Sequence, residues 1–301
     1  GYLPVLSCET CAYTPNCTQC DVSLTYHKWN NQLKCHYCGY SQQLPKICPS
    51  CSASNFSDKG FGTEQIEESL KVLFPGHLSK RMDYDTTRGK HAHQKLITDF
   101  EHGRIAILVG TQMVTKGLDF DNVALVGILD ADSMLHFPDF RSYERAFQLM
   151  MQVAGRAGRK GEQGQVLIQT YDEEHEIFKL LKKHDFSTFI KRQAQERKLF
   201  NYPPYNRLIG ITLKHKNQRK LDETAQQLVD MMGKSFGNRV LGPEYPAISR
   251  IRNYYHKNIL LKIEQKGSIA SAKTILNTII ENMQHHSDYK AVRFIIDVDP
   301  V

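Results

Sequence analysis

Eight cysteines, Cys8, Cys11, Cys17, Cys20, Cys35, Cys38, Cys48 and Cys51, crowd the start of the chain, and the 250 residues after them hold none. Each belongs to a Cys-x-x-Cys pair. A two-residue gap sets two thiolates on one tight turn, both aimed at a single metal ion about 2.3 Å away. Four such pairs predict two zinc sites of four cysteines each. Disulfides would need an oxidising compartment and suit this clustering poorly. Fourteen residues separate Cys20 from Cys35, enough for one hairpin. Cys17, Cys20, Cys35 and Cys38 are therefore expected to close one site, and Cys8, Cys11, Cys48 and Cys51 the other. Joining Cys8/Cys11 to Cys17/Cys20 would leave a loop of only five residues, tight for a tetrahedron. His27 and His36 are then spare, as surface or supporting residues.

A second group of residues suits phosphate. Gln152, Gly155, Arg156 and Arg159 form a Q-x-x-G-R-x-x-R run. It puts two guanidiniums three apart, on one helical face, where they could fork around a nucleotide γ-phosphate. Alone, the run reads equally as a helix C-terminus, with Gly ending the helix and Arg satisfying the last carbonyls. It is preceded by Asp83-Tyr84-Asp85-Thr86-Thr87 and by a Gly110-Thr111-Gln112-Met113-Val114-Thr115-Lys116-Gly117-Leu118-Asp119-Phe120 segment. Asp132 is a further acidic candidate that helix capping explains as well.

These segments need a scaffold. Ile66, Leu70 and Leu73 mark a helix with Thr63 as its expected N-cap, and Leu96, Ile97 and Phe100 mark another. Runs at 105–109, 123–129 and 164–169 read as buried parallel strands, with a helix over 140–153. Strands alternating with helices predict a doubly wound sheet, and ligands bind at the carboxyl ends of its strands. The three segments all fall at such ends. The run at 3–6 is expected to be the first strand of that sheet, which makes the cysteine region an insertion.

The last third differs in charge. The chain of 301 residues carries 39 Lys and Arg against 32 Asp and Glu, or +7. Residues 201–301 hold 15 cations against 9 anions, so almost all of the excess lies there. A basic terminal domain suits a polyanion such as nucleic acid, or is simply a well-solvated surface. Arg250, Arg252 and Lys257, interleaved with Tyr254, Tyr255 and His256, are the candidate DNA contacts. A hairpin is expected from 248–254 and 259–263, with 256–258 near its turn. Together with strands at 208–214 and 292–298 and two amphipathic helices, it predicts a β-α-β-β-α-β, ferredoxin-like domain. The prolines of Asn201-Tyr202-Pro203-Pro204-Tyr205 mark its boundary. No apolar run reaches the roughly 18 residues that span a bilayer, and no signal peptide is read at the N-terminus. The absence of an initial Met is read as a piece of a longer chain.

The order and spacing of the three segments resemble motifs IV, V and VI of superfamily 2 helicases. With the cysteine array, Gly62-Thr63-Glu64, G-T-Q-M-x-x-K-G-x-D-F and the stretch from Glu196-Arg197 to Tyr205, the whole chain resembles the PriA family of bacterial primosomal replication-restart helicases. The resemblance implies an α/β RecA-like second helicase lobe with an inserted two-zinc ribbon and an α+β C-terminal domain. Its expected bounds are 1–7 for the first lobe strand, 8–54 for the insertion, 55–195 for the lobe and 196–301 for the last domain. It implies an ATP-dependent 3′→5′ DNA helicase, using ATP with Mg(2+) and two Zn(2+), that recognises abandoned forks and starts primosome assembly. Thr111, Gln112 and Lys116 would touch the DNA backbone. Gly117, Asp119, Gln152 and Gly155 would lie at the nucleotide. Arg156 and Arg159 would reach the γ-phosphate, with Arg159 as the arginine finger. Expected partners are DNA forks, single-stranded DNA, single-stranded DNA-binding protein and other primosome proteins, with no membrane. The protein would be a cytoplasmic, nucleoid-associated monomer. This sequence contains no G-x-x-x-x-G-K-[ST] and no D-E-x-H, so it is not expected to hydrolyse ATP alone. The alternative is a zinc-ribbon interaction platform with a non-catalytic lobe.

Overall fold

The computed structural model describes residues 5–27, 31–59, 62–83, 86–87, 91–111, 114, 123–155, 157 and 164–300. It divides into two compact units: Gly1–Leu3 with Gly60–Gln195, and Pro4–Lys59 with Glu196–Val301. The cysteine region thus shares a unit with the C-terminal domain.

In the first unit, helix α1 (Thr63–Leu73) precedes β6 (Ser79–Met82), α2 (Ala92–Glu101) and β7 (Ile107–Gly110). Strand β8 (Leu125–Ile128), helices α3 (Ala131–Leu135) and α4 (Ser142–Ala154), β9 (Gln165–Ile168), α5 (Glu176–Lys182) and α6 (Phe186–Leu199) follow. Strands β6 and β7 pair in parallel, as do β8 and β9. Among the described residues the expected parallel sheet is therefore seen as two pairs. Gly110 ends β7 where a Cβ would overlap the Val114 side chain and come within 2.7 Å of the Met82 carbonyl. Only glycine allows that approach.

Helix α4 carries Gln152 and ends at Gly155. Its apolar face, Ala146, Phe147, Met150 and Val153, is buried, at the spacing of a single helical stripe. Phe147 stacks on Phe189 of α6 with ring centroids 4.1 Å apart. Phe147→Ala should cost about 3–5 kcal/mol. A urea denaturation series would show it as a lowered midpoint; an unchanged midpoint would remove this anchor.

In the second unit, β1 (Val5–Cys8), β2 (Thr25–His27), β3 (Gln32–Lys34), β4 (Ser41–Gln43) and β5 (Phe56–Lys59) form an antiparallel sheet in the order β4-β3-β2-β1-β5. This corrects the expected placement of 3–6. Residues 5–8 belong to the ribbon, paired as Leu6 with Asp58 and Cys8 with Phe56. Four residues contain no signal for their partner, and β5 lies about fifty positions away. Residues 1–4 lie outside the described residues. The ribbon has its own small core, with Leu6, Leu24 and Leu33 buried beside Cys17, Cys20 and Cys35.

The C-terminal part runs β10 (Asn206–His215), α7 (Gln218–Phe236), β11 (Val240–Glu244), β12 (Arg250–Ile251), β13 (Tyr254–Glu264), α8 (Ile269–His285) and β14 (Arg293–Val298). Its sheet order is β11-β13-β10-β14, all antiparallel. Ile209, Ile211, Leu213, Ile259, Leu261 and Ile263 alternate onto the face covered by Leu221, Leu228, Leu276 and Ile280 of the helices. The expected hairpin turn at 256–258 is corrected. Those residues lie inside β13, and the turn is Arg252-Asn253, between Ile251 and Tyr254, with φ of 52° and 62°. Two residues with positive φ make the tight, I′-like connection that suits a twisted hairpin. Arg is an unusual choice there, so the turn was not readable locally.

Candidate functional site

The cysteine turns come together in two groups, Cys8, Cys11, Cys48 and Cys51, and Cys17, Cys20, Cys35 and Cys38, with the sulfurs of each within 4.8 Å of one another. Sulfur separations are 3.6 Å for Cys8–Cys51 and Cys11–Cys48 and 3.5 Å for Cys17–Cys38. A disulfide would bring them to about 2.05 Å. A tetrahedron with zinc–sulfur bonds of about 2.3 Å has edges of roughly 3.8 Å, so the donor sets fit zinc.

Three of the four turns are built alike. The Cys8 N–H donates to Tyr13 O and the Ala12 N–H to Cys8 O; Cys35 repeats this with Tyr40 and Gly39, and Cys48 with Ala53 and Ser52, whereas in the Cys17 turn the Asp21 N–H donates to Arg250 O. The residue closing three of these turns, Ala12, Gly39 or Ser52, has φ of 59°, 82° or 62°. Backbone N–H groups of Cys11 and Thr10 draw the Cys8 thiol down to about 7. Cys51, despite the N–H of Ala53, is pushed up to about 12 by Cys11, burial and the other two thiols. Burial first, then Cys38 and Cys35, push Cys20 up to about 12. Four sulfurs cannot all ionise side by side without a cation between them. His27 is buried, and its Nε2 lies 3.2 Å from His36 Nε2, outside both groups.

In the first unit, two of the helicase-like segments begin at strand ends and the third at the C-terminal end of helix α4. Asp83 follows β6. Its Oδ2 accepts from Thr63 Oγ1 at 2.8 Å and its Oδ1 from the Thr86 N–H at 3.0 Å. Arg81 Nε lies 3.1 Å from Asp83 Oδ2, and its Nη1 3.6 Å from Glu64. Gly62-Thr63-Glu64 thus braces the Asp83 turn, with Gly62 as N-cap and Thr63 as the first helical residue, its hydroxyl spent on Asp83 instead of the helix. Thr111 follows β7 and its carbonyl takes the Val114 N–H. Asp132, in the first turn of α3, accepts from Thr170 Oγ1 and from the Tyr171 N–H, at 2.9 and 3.0 Å, fastening β9 to α3. Gln152 is exposed on the last turn of α4, and the Gly155 N–H closes that turn on Met151 O. Gln112, Lys116, Gly117, Asp119, Arg156 and Arg159 lie outside the described residues.

Each of the three C-terminal candidates for DNA contact has an intramolecular partner. Arg250 Nε donates to Asp21 Oδ1 at 2.9 Å and Nη1 to Thr18 O at 3.3 Å. Arg252 Nε donates to Tyr37 O at 3.1 Å. Lys257 Nζ pairs with Asp222 at 2.9 Å and lies over the Tyr245 ring. Their partners lie up to 232 positions away, beyond any local pattern. The helix-free face of the sheet presents other cations. Lys214 stands directly opposite both Arg293 and His256. The Tyr254 ring lies within cation–π range of Lys216 and Arg293, at 5.6 and 5.1 Å. Lys214, Lys216 and Arg293 have no carboxylate partner among the described residues. Like charges opposed across strands repel, and an anion laid over them relieves the repulsion.

Family models match along the chain: the helicase conserved C-terminal domain over residues 60–161, the PriA DNA helicase Cys-rich region over 17–43, and the primosomal protein N C-terminal domain over 198–301. The replication restart protein PriA of Bacillus subtilis is 41% identical over 302 residues, covering 100% of this chain and 37% of its own length. That of Synechocystis is 42% identical over 268 residues, covering 87% of this chain and 32% of its own. That of Haemophilus influenzae is 35% identical over 303 residues, covering 100% and 41%. The chain thus spans about two fifths or less of these relatives. No helix among the described residues is long and apolar enough to cross a membrane.

Proposed function

The chain belongs to the PriA family of replication restart proteins, whose C-terminal part it matches, and we propose that it is the second-lobe half of an ATP-dependent 3′→5′ DNA helicase that acts at abandoned forks. The observation that carries this is the joint presence of a helicase lobe, with Asp83 and Thr111 at strand ends, and two four-cysteine groups.

In this reading the lobe completes a nucleotide site whose phosphate cradle comes from a P-loop lobe. Gln152 and Gly155 at the end of α4, with Gly117 and Asp119, line the nucleotide. Arg156 and Arg159 offset charge on the γ-phosphate, the Arg159 guanidinium as the finger, with Mg(2+) supplying the remaining positive charge. Thr111, Gln112 and Lys116 hold the DNA backbone. Single-stranded DNA-binding protein and other primosome proteins are the partners, and the cytoplasm the setting. The test joins this chain to such a lobe and measures DNA-stimulated ATP hydrolysis; no stimulation overturns the reading.

The helix-free sheet face is the better DNA surface of the second unit. Replacing Lys214, Lys216 or Arg293 by Ala should flatten the salt dependence of DNA binding by about one phosphate contact each. Arg250→Ala should leave it unchanged, because that side chain is committed to Asp21. A titration across salt concentrations decides; unchanged slopes in all three variants would move the DNA elsewhere.

A further inference from the structure

Cys17, Cys20, Cys35 and Cys38 lie between the other two pairs in sequence and form the inner group, and three of its four sulfurs accept a backbone N–H among the described residues. The Gln19 N–H donates to Cys17 Sγ and the Tyr40 N–H to Cys38 Sγ, both at 3.4 Å. These donors lie two residues away, within the turns that carry the ligands. The third is different. Cys20 Sγ accepts at 3.3 Å from the N–H of Arg252, 232 residues along the chain.

That donor sits at the tip of the β12–β13 hairpin and is held firmly. The Asn253 N–H donates to Gln19 O at 2.8 Å, and the Asp21 N–H to Arg250 O at 2.9 Å. Ser249 Oγ and Arg250 Nε grip the two oxygens of Asp21 at 2.6 and 2.9 Å. Ile251 packs on the ribbon core that includes Cys17, Cys20 and Cys35. Four thiolates around one divalent zinc leave a net charge of −2. An N–H to a thiolate, with the Arg250 and Arg252 guanidiniums close by, stabilises that charge. Among the described residues no C-terminal group donates to the outer cluster.

We infer that the β12–β13 hairpin is a wall of the inner zinc site. It supports the Cys20 thiolate and is held in place by the ribbon that the metal organises. The inference rests on reading that cluster as a four-thiolate zinc site. Zinc retention at the inner site and docking of the hairpin therefore stabilise one another, and by linkage each weakens when the other is lost.

The test uses the zinc-loaded full chain and a chromophoric chelator in excess, with zinc release followed in time. In Arg250→Ala/Ile251→Ala, one of the two zincs should leave about 10–100-fold faster, the range that lost supporting contacts to ligands show, and the other should leave as before. In the converse arm, Cys17→Ser should speed hydrogen exchange at the amides of 250–255, while Cys11→Ser should not. Release unchanged in both phases, or accelerated equally in both, overturns the inference. Should the double variant not fold, Arg250→Ala alone is read by the same criteria. A parent chain that binds fewer than two zincs overturns the four-thiolate reading itself, which separates the two failures.

Discussion

Changing Cys8 and Cys51 together to Ser should leave one zinc per chain, and changing Cys8 and Cys17 together should leave none. The first pair lies within one group of sulfurs and the second is split between both. A site with three sulfurs and an open position loses most of its hold on the ion. The sequential arrangement predicts the reverse: joining Cys8/Cys11 to Cys17/Cys20 would put Cys8 and Cys17 in one site, and that double variant would keep one zinc. Metal content by atomic emission after dialysis separates the two outcomes. The energetic effect should also be large, since structural zinc contributes about 10–16 kcal/mol of apparent binding free energy in small domains, and binding there is folding. The ribbon core is a handful of side chains, Leu6, Leu24 and Leu33 among them. Such a core cannot hold five short strands without the metal. Chelation should therefore erase protection of the ribbon amides in hydrogen exchange while those of β10 and α7 persist. Full protection in the chelated protein would show that the sites are ornamental to the fold.

The second large effect concerns Arg159. Once the chain is joined to a P-loop lobe, Arg159→Ala should lower DNA-stimulated ATP turnover by about 10³–10⁵-fold. Nucleotide affinity should change only a few-fold, because the finger acts on charge that develops during transfer. Steady-state hydrolysis alongside binding of a fluorescent nucleotide gives both numbers. Turnover within tenfold of the parent would remove Arg159 from that role and favour a non-catalytic lobe. Arg159→Lys is a stringent companion. An ammonium keeps the charge and loses the planar fork, so it should rescue little.

The sulfur groups were legible in the sequence because their chemistry is written in short spacings, two residues within a pair and fourteen across a hairpin. Helices α1, α4, α7 and α8 were legible for a similar reason, since Ile66 and Leu70, or Leu276 and Ile280, repeat at a helical period. What stayed hidden depends on partners far along the chain. Strand β1 is four residues whose apolar character suits either sheet, and only pairing with β5 decides. The Arg252-Asn253 turn lacks glycine, and its left-handed backbone is sustained by bonds to Gln19, Cys20 and Tyr37. Arg250 and Arg252 looked like free charge because Asp21 and Tyr37 sit more than 200 positions upstream. Strand β11 contains Gly242 and Pro243; at the sheet edge a proline costs no ladder bond.

Strands β1 and β5 run side by side in opposite directions, Leu6 against Asp58. The path into the ribbon and the path out of it are thus about 5 Å apart, the width of one strand spacing. To the chain on either side, the ribbon is topologically no more than a reverse turn. Its strands can lengthen, shrink or exchange side chains without moving the two points where it is spliced in. Loop-closure entropy changes only slowly with length, so such growth is cheap as well. A segment mounted on a stem of this kind can diversify wherever it does not touch the β12–β13 hairpin, while the stem keeps its register.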